Sequence, residues 1–224
     1  MPEPEETNIP LTVRQYNQAD RAAVHRIAAD TAFFGEPVEA FLADRQLFVD
    51  LFYAYYTDME ARSGWVACVG PQVVGFLMGC VDTRAHSRKW VRNYLPLILS
   101  RLLRRHYRLG KLTRRYAIAL ARAGLRGEFP HADLTMYPAH FHLNMEARWR
   151  GQGGGRCLIE AYLNQLRQLQ VPGVHLNTTS LNEAACQLYV RLGFHLLDAR
   201  PTRMWAGWID RPVENRCYGL RLCT

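Results

Sequence analysis

No CxxC pair occurs in the 224 residues, and the six cysteines (Cys68, Cys80, Cys157, Cys186, Cys217, Cys223) are scattered. That scatter excludes the usual zinc ligand spacings and a compact disulfide framework, and no metal-ligand set is expected. The thiols are expected to be reduced, most of them small core hydrophobes, in a cytoplasmic protein. No uninterrupted apolar run is long enough to cross a bilayer. The opening MPEPEETNIP lacks the basic start and apolar stretch of a secretory signal, so a short disordered tail is expected over 1–10. Neither GxxxxGKS/T nor a complete GxGxxG is present, which argues against a P-loop and a Rossmann fingerprint. From Arg84 to Arg126 there is no Asp or Glu.

That last absence makes the charge uneven. The net charge is +8, yet the 84–126 segment holds 13 Lys and Arg, so the remainder sums to −5. The segment reads as two amphipathic helices with purely cationic polar faces, Pro96–Arg108 and Lys111–Arg126, parted by Gly110. Before it, Leu11–Gln15 reads as a strand, Ala19–Thr31 and Phe41–Met59 as helices, and Trp65–Val69 with Val73–Val81 as a hairpin about Gly70-Pro71. Gly75 and Gly79 predict a bulge or a close backbone approach. After the segment comes a regular alternation: strand Ala139–Met145, helix Gly153–Gln170, strand Val174–Thr178, helix Asn182–Leu192, strand Phe194–Asp198, and a last strand over Asn215–Leu222. This order predicts a mixed α/β sheet in a single domain over 11–224.

Between the first strand and helix of that alternation lies Arg150-Gly151-Gln152-Gly153-Gly154-Gly155-Arg156. Four glycines in five positions are costly inside regular structure. They suit a backbone that turns tightly and exposes its N–H groups at a helix start, where a diphosphate can rest. The alternative is a glycine-rich connection that binds nothing. Asn182 to Phe194 then reads as a helix with Asn182 at its N-cap and Gly193 at its stop, with Ala185, Leu188, Tyr189 and Leu192 facing inward. Tyr189 alone reads equally well as a core aromatic.

Together RGQGGG and NEAACQLYVRLGF resemble the two cofactor motifs of the GCN5-related N-acetyltransferase (GNAT) family. Arg150, Gly153 and Gly155 match the first; Asn182, Ala185, Leu188, Tyr189, Leu192, Gly193 and Phe194 match the second. The resemblance covers 11–198, with the motif weight from Ala139 onward. It implies a GNAT-like mixed central sheet with splayed parallel strands, flanking helices and a basic helical-hairpin insertion at 84–126. It also implies acetyl transfer from acetyl-CoA to an amine by direct attack. By the same resemblance, the diphosphate rests on Arg150, Gly151, Gln152, Gly153, Gly154, Gly155 and Arg156. The pantetheine arm runs along Leu143, Asn144 and Met145, helped by Asn182. Tyr189 stands where the family's general acid stands, and a backbone N–H near Met145 meets the oxyanion. An acyl-cysteine route through Cys157 or Cys186 is the rival mechanism, without an obvious histidine partner.

The general base stays open. His140 and His142 share one face of their strand with Asn144, and neutral histidine suits the task; a water chain, with the histidines structural, is the alternative. The pair resembles that of serotonin N-acetyltransferase, but offset by one residue, which reverses the face. YPAHFHLNM also resembles the acetyltransferase-like domain of O-GlcNAc hydrolases, where an acid often follows the second histidine by two; here Asn144 does. A second function is therefore kept: a catalytically inactive acyl-CoA-binding module whose basic hairpin docks an acidic partner, nucleic acid or membrane surface. The hairpin reads equally as a solvated cationic face on a packed insertion. A small-molecule or peptide amine acceptor and a homodimer complete the expected partners.

Overall fold

The computed structural model describes residues 10–222; the tail expected over 1–10 lies outside the described residues but for Pro10, and so does Cys223. Along Phe76–Cys80 the side chains alternate between two apolar layers. Phe76, Met78 and Cys80 join one core, and Leu77 the other. A strand covered on both faces belongs mid-sheet, and β3 (Gln72–Cys80) lies between β2 (Gly64–Val69) and β4 (Ala139–Met145). A register shift sits at Ala67/Cys68 on β2, opposite Val73 and Gly75. Gly79 lets a neighbour approach closely: a Cβ there would lie 2.5 Å from the Tyr162 hydroxyl. Both expectations for the glycines of this strand are thus met, the bulge beside Gly75 and the close approach at Gly79.

With β1 (Leu11–Gln15), β5 (Gly173–Thr179), β6 (His195–Thr202) and β7 (Val213–Arg221), the sheet has the order β1-β2-β3-β4-β5-β7-β6. Every neighbouring pair is antiparallel except β4 and β5. That parallel pair holds only Ala139↔Val174 and His140↔His175 in register. β3–β4 pairing continues to Met145, and β5–β7 pairing to Thr179. From Phe141 and Leu176 onward, β4 and β5 therefore part and leave a wedge in the middle of the sheet.

One face is covered by α1 (Arg21–Asp30), α2 (Arg45–Phe52), α3 (Ala54–Met59), α4 (Thr83–Leu103) and α5 (Lys111–Leu125); the other by α6 (Gly154–Gln168) and α7 (Glu183–Arg191). Two helices depart from expectation. The stretch Phe41–Met59 is divided: Asp44 caps α2 by accepting from the Leu47 N–H at 2.8 Å, and Tyr53, at φ −130°, breaks the chain between α2 and α3. α4 starts at Thr83, not Pro96, because Asp82 caps it by accepting from the Ala85 N–H at 3.0 Å. It runs on through Pro96, an exposed residue that gives the helix no N–H. It ends at Leu103, short of Arg108, with Arg105 turned to φ +54°.

Buried Asp50 of α2 fastens this insertion by accepting from Arg101 and, at 2.6 Å, from the Tyr107 hydroxyl. Its apolar stripe is only partly used. Ile98 is buried, while Leu99 and Leu103 are 49% and 85% exposed. No helix of the described residues is long and apolar enough to cross a membrane.

Candidate active site

The glycine loop begins where β4 ends. Gly151 and Gly153 adopt φ of +76° and +86°, a region L side chains resist, so the chain can reverse into α6. Gly154 is needed for a different reason: a Cβ there would lie 2.8 Å from Leu11 Cδ1 and 2.9 Å from Met145 Cε. No side chain caps α6. Its first N–H groups therefore have no partner within the helix, and the positive end of the dipole sits with them. These donors open on a pocket of about 470 Å³ between β4, the loop and α7.

Of the residues expected to hold the cofactor, Leu143, Met145, Arg150, Gly151, Gly153, Gly155, Arg156, Asn182 and Tyr189 line this pocket. Asn144, Gln152 and Gly154 do not. Gln152 donates to the Arg148 carbonyl at 2.9 Å, and Gly154 packs behind the loop. Asn144 is a correction. Its side chain points to the opposite face, where it accepts from the Tyr53 hydroxyl at 3.1 Å and donates to Thr31 at 2.7 Å. Two of the expected charges are partly engaged. Arg150 donates to the carbonyls of Met145 (3.1 Å) and Gly35 (3.4 Å), and Arg156 pairs with Glu160 at 2.7 Å. Sequence reasoning missed Trp149 and Arg191, both in the pocket lining. The Trp149 indole N–H is buried without a hydrogen-bond partner. The only signal for either was adjacency to a motif residue.

The backbone of β4 supplies the rest of this site. The Glu146 N–H donates to Val74 of β3 at 2.9 Å. Alternate residues of a strand turn their amides to the same side, so His142 and Asn144 face β3 while Leu143 and Met145 face the wedge. Asn182 occupies the N-cap position of α7 but makes no capping bond, so its side chain is left to the pocket. Tyr189 is buried among Phe141, Phe194 and Tyr218. Its hydroxyl has no hydrogen-bond partner among the described residues. Burial raises its pKa, so the phenol stays protonated at neutral pH. An uncapped anion cradle, two wedge-facing amides and an orphan indole N–H fit a long phosphorylated ligand with amide groups.

The two expected histidines lie on the other face of β4. The Thr83 hydroxyl is 2.6 Å from the Pro138 carbonyl, to which it must donate. It therefore accepts from His140 Nδ1 at 2.7 Å. His140 Nε2 is then an acceptor and takes the Tyr56 hydroxyl proton at 2.5 Å. The Tyr56 oxygen in turn accepts from His142 Nε2 at 3.2 Å, which leaves His142 Nδ1 with a lone pair. Both nitrogens of His140 are thus engaged, so it cannot touch an acceptor amine. The Cys80 thiol and His86 complete this cluster, their ligand atoms within 4.8 Å of one another and of His140. His142, by contrast, lines an open cavity of about 350 Å³ with Tyr56, His86 and Trp90. Desolvation lowers the pKa of both histidines, that of His140 well below its ordinary value, and both are neutral at pH 7. His142 stands exposed at the mouth of that cavity.

Comparison with known proteins points one way. A family model described as "Acetyltransferase (GNAT) family" matches residues 137–194, which span the glycine loop and α7. The crystal structure of SsHAT is similar over 96% of this chain and 99% of that one, at 30% identity and a TM-score of 0.74. A polyamine N-acetyltransferase of Drosophila melanogaster (16% identity, TM-score 0.58, 95% and 100% covered) shares the fold. So does yncA of Salmonella typhimurium, solved with its cofactor acetyl-CoA (16%, 0.55, 96% and 95% covered). Mycothiol acetyltransferase of Nocardiopsis dassonvillei is 43% identical over 56 residues, which are 25% of this chain but only 17% of that enzyme's length.

Proposed function

The chain belongs to the acetyltransferase (GNAT) family, and on that premise we propose that it moves the acetyl group of acetyl-CoA to an amine by direct transfer. One observation carries this reading: a single pocket is lined by the uncapped start of α6, by Leu143 and Met145 of β4, and by Tyr189. Acetyl-CoA supplies the acyl group as a thioester. The loop from Arg150 to Arg156 would hold its diphosphate; Leu143, Met145 and Asn182 would hold its pantetheine arm. The Met145 N–H meets negative charge developing in the wedge, and Tyr189 gives its proton to the departing sulfur. An amine entering the cavity by Trp90 surrenders its proton to His142 Nδ1. His140, with both nitrogens already hydrogen-bonded, takes no part of that charge, and its chain to Tyr56 fixes the tautomer of His142. The acceptor is a small molecule or a peptide amine. A reducing, cytoplasmic setting belongs to this reading, in keeping with five described cysteines that are all free.

Asn144 supports a second reading, an acyl-CoA-binding module without catalysis, because an amide tied to Tyr53 and Thr31 supplies no base beside the histidines. The further likeness to the domain of O-GlcNAc hydrolases rests on YPAHFHLNM alone. Thiol release measured with a panel of amines, alongside CoA titration, separates the readings. Binding with release supports transfer. Binding without release for every amine supports the inert module. No binding removes both.

A further inference from the structure

The basic segment contributes one wall of a second groove, which shares no lining residue with the cofactor pocket. Lys111, Arg114, Arg115 and Arg122 recur at helical spacing along α5 and face Arg203, Gly207 and Trp208 of the β6–β7 turn. The groove has a volume of about 550 Å³, with Arg126 at the end of α5 also lining it. Six cations thus share one groove, and among the described residues no carboxylate lines it. Only Arg126 has an acidic partner, Glu128 at 3.5 Å. Arg115 is held in place: its guanidinium lies over the Trp208 ring at 4.5 Å and donates to the Gly207 carbonyl at 2.6 Å. Cations fixed close together without counter-charges repel, and an anionic ligand relieves that repulsion.

We propose that this groove binds an acidic segment of a peptide or protein. From Lys111 to Arg122 the helix rises about 16 Å. That is too long for one phosphate and matches about five residues of extended chain. Arginine forks suit carboxylates two oxygens at a time, and Ile118 and Met204 offer apolar contact between them. A single-stranded nucleic acid would need open aromatic faces for its bases, but Trp208 is the groove's only aromatic and Arg115 covers a face of its ring. A second copy docked groove to groove about a two-fold axis would set cations against cations. The turn also reaches towards the cofactor site: Trp205 packs on Phe34 at 5.1 Å, and the next residue, Gly35, accepts from Arg150. On the acetyl-transfer reading, an amine-bearing peptide with acidic neighbours is the acceptor class such a groove would favour. The binding itself does not rest on that reading.

The test is fluorescence anisotropy of the whole chain with a labelled oligoglutamate peptide, against oligoglutamine and a single-stranded RNA of equal charge. The glutamate peptide is expected to bind more tightly than either, with an affinity that falls as salt rises. Arg114→Glu with Arg122→Glu is expected to weaken it by about tenfold or more while CoA affinity is unchanged. Should that pair fail to fold, Arg122→Gln gives a smaller loss in the same direction. Unchanged peptide affinity in the variants, no binding at low salt, or tighter binding of the RNA overturns the proposal. Where acetyl transfer is measurable, the double variant raises KM for an acid-flanked amine peptide and leaves kcat alone. If no transfer is found with any amine, the anisotropy result still decides the groove.

Discussion

Tyr56 and His140 share a hydrogen bond of 2.5 Å, and the same phenolic oxygen accepts from His142 at 3.2 Å. Tyr56 therefore decides which nitrogen of His142 carries the proton. Tyr56→Phe removes the acceptor for His142 Nε2–H and frees the ring to take either tautomer. The expected outcome is a fall in kcat of about tenfold, less than the roughly hundredfold lost with a base itself, because His142 remains in place. CoA affinity should be unchanged, because Tyr56 lies on the face of β4 away from the cofactor pocket. A titration of the rate against pH should show the base limb displaced in the variant; superimposable profiles would remove Tyr56 from the mechanism.

Tyr189→Phe tests the acid. The ring would keep its place among Phe141, Phe194 and Tyr218, so binding and fold should survive. Thiol release should drop by roughly a hundredfold, the usual range for a lost proton donor. Wild-type turnover in this variant would leave Tyr189 a core aromatic that happens to border the pocket.

The loop glycines separate binding from folding. Gly153→Ala places a Cβ on a residue at φ +86°, which costs about 1–2 kcal/mol and tilts the donors of α6. CoA affinity should fall by tenfold or more, on the order of that strain. Gly154→Val instead drives methyl groups into Leu11 and Met145, and overpacking of that kind costs about 1–3 kcal/mol. Calorimetry should therefore show the melting temperature drop more for Gly154→Val than its distance from the ligand would suggest.

Acid should loosen the fold before the carboxylates titrate. His25 and His86 are lowered from 6.5 to about 4, chiefly by desolvation, and desolvation also holds His140 well below its ordinary value. Below pH 6.5 the unfolded chain takes up protons that the folded chain refuses. Stability is therefore whole above that pH and declines as pH falls towards 4. Melting temperatures across this window should descend, and His86→Gln should flatten part of the slope. A constant melting temperature from pH 7 to 4.5 would contradict the buried, neutral state of these rings.

The pocket of the glycine loop and α7 was legible because its elements are local in sequence. Gly151 to Gly155 and Asn182 to Gly193 are contiguous runs whose composition already implies a turn and a helix. The cluster of Tyr56, His140 and His142 was not. Tyr56 stands 84 residues before His140, in a stretch read only as helical and aromatic, and nothing short of tertiary packing brings the two together. Asn144 shows a different limit: the two-residue period of β4 already set it with His140 and His142, away from Leu143 and Met145. Pro96 reads as a helix start from its own chemistry, while the true start lies at Thr83, capped by Asp82, with no periodic apolar residues after it to advertise it. The groove on α5 required the β6–β7 turn, which carries no recognisable motif.

The parting of β4 and β5 after two residue pairs has a thermodynamic consequence. A half-zipped sheet keeps main-chain donors that water alone can satisfy until a guest arrives and is stitched in as a surrogate strand. Occupancy should thus be readable at the amides of Leu143 and Met145: their deuterium uptake should slow sharply with CoA present, whereas Leu77 and Phe76, already laced to their neighbours, should hardly respond.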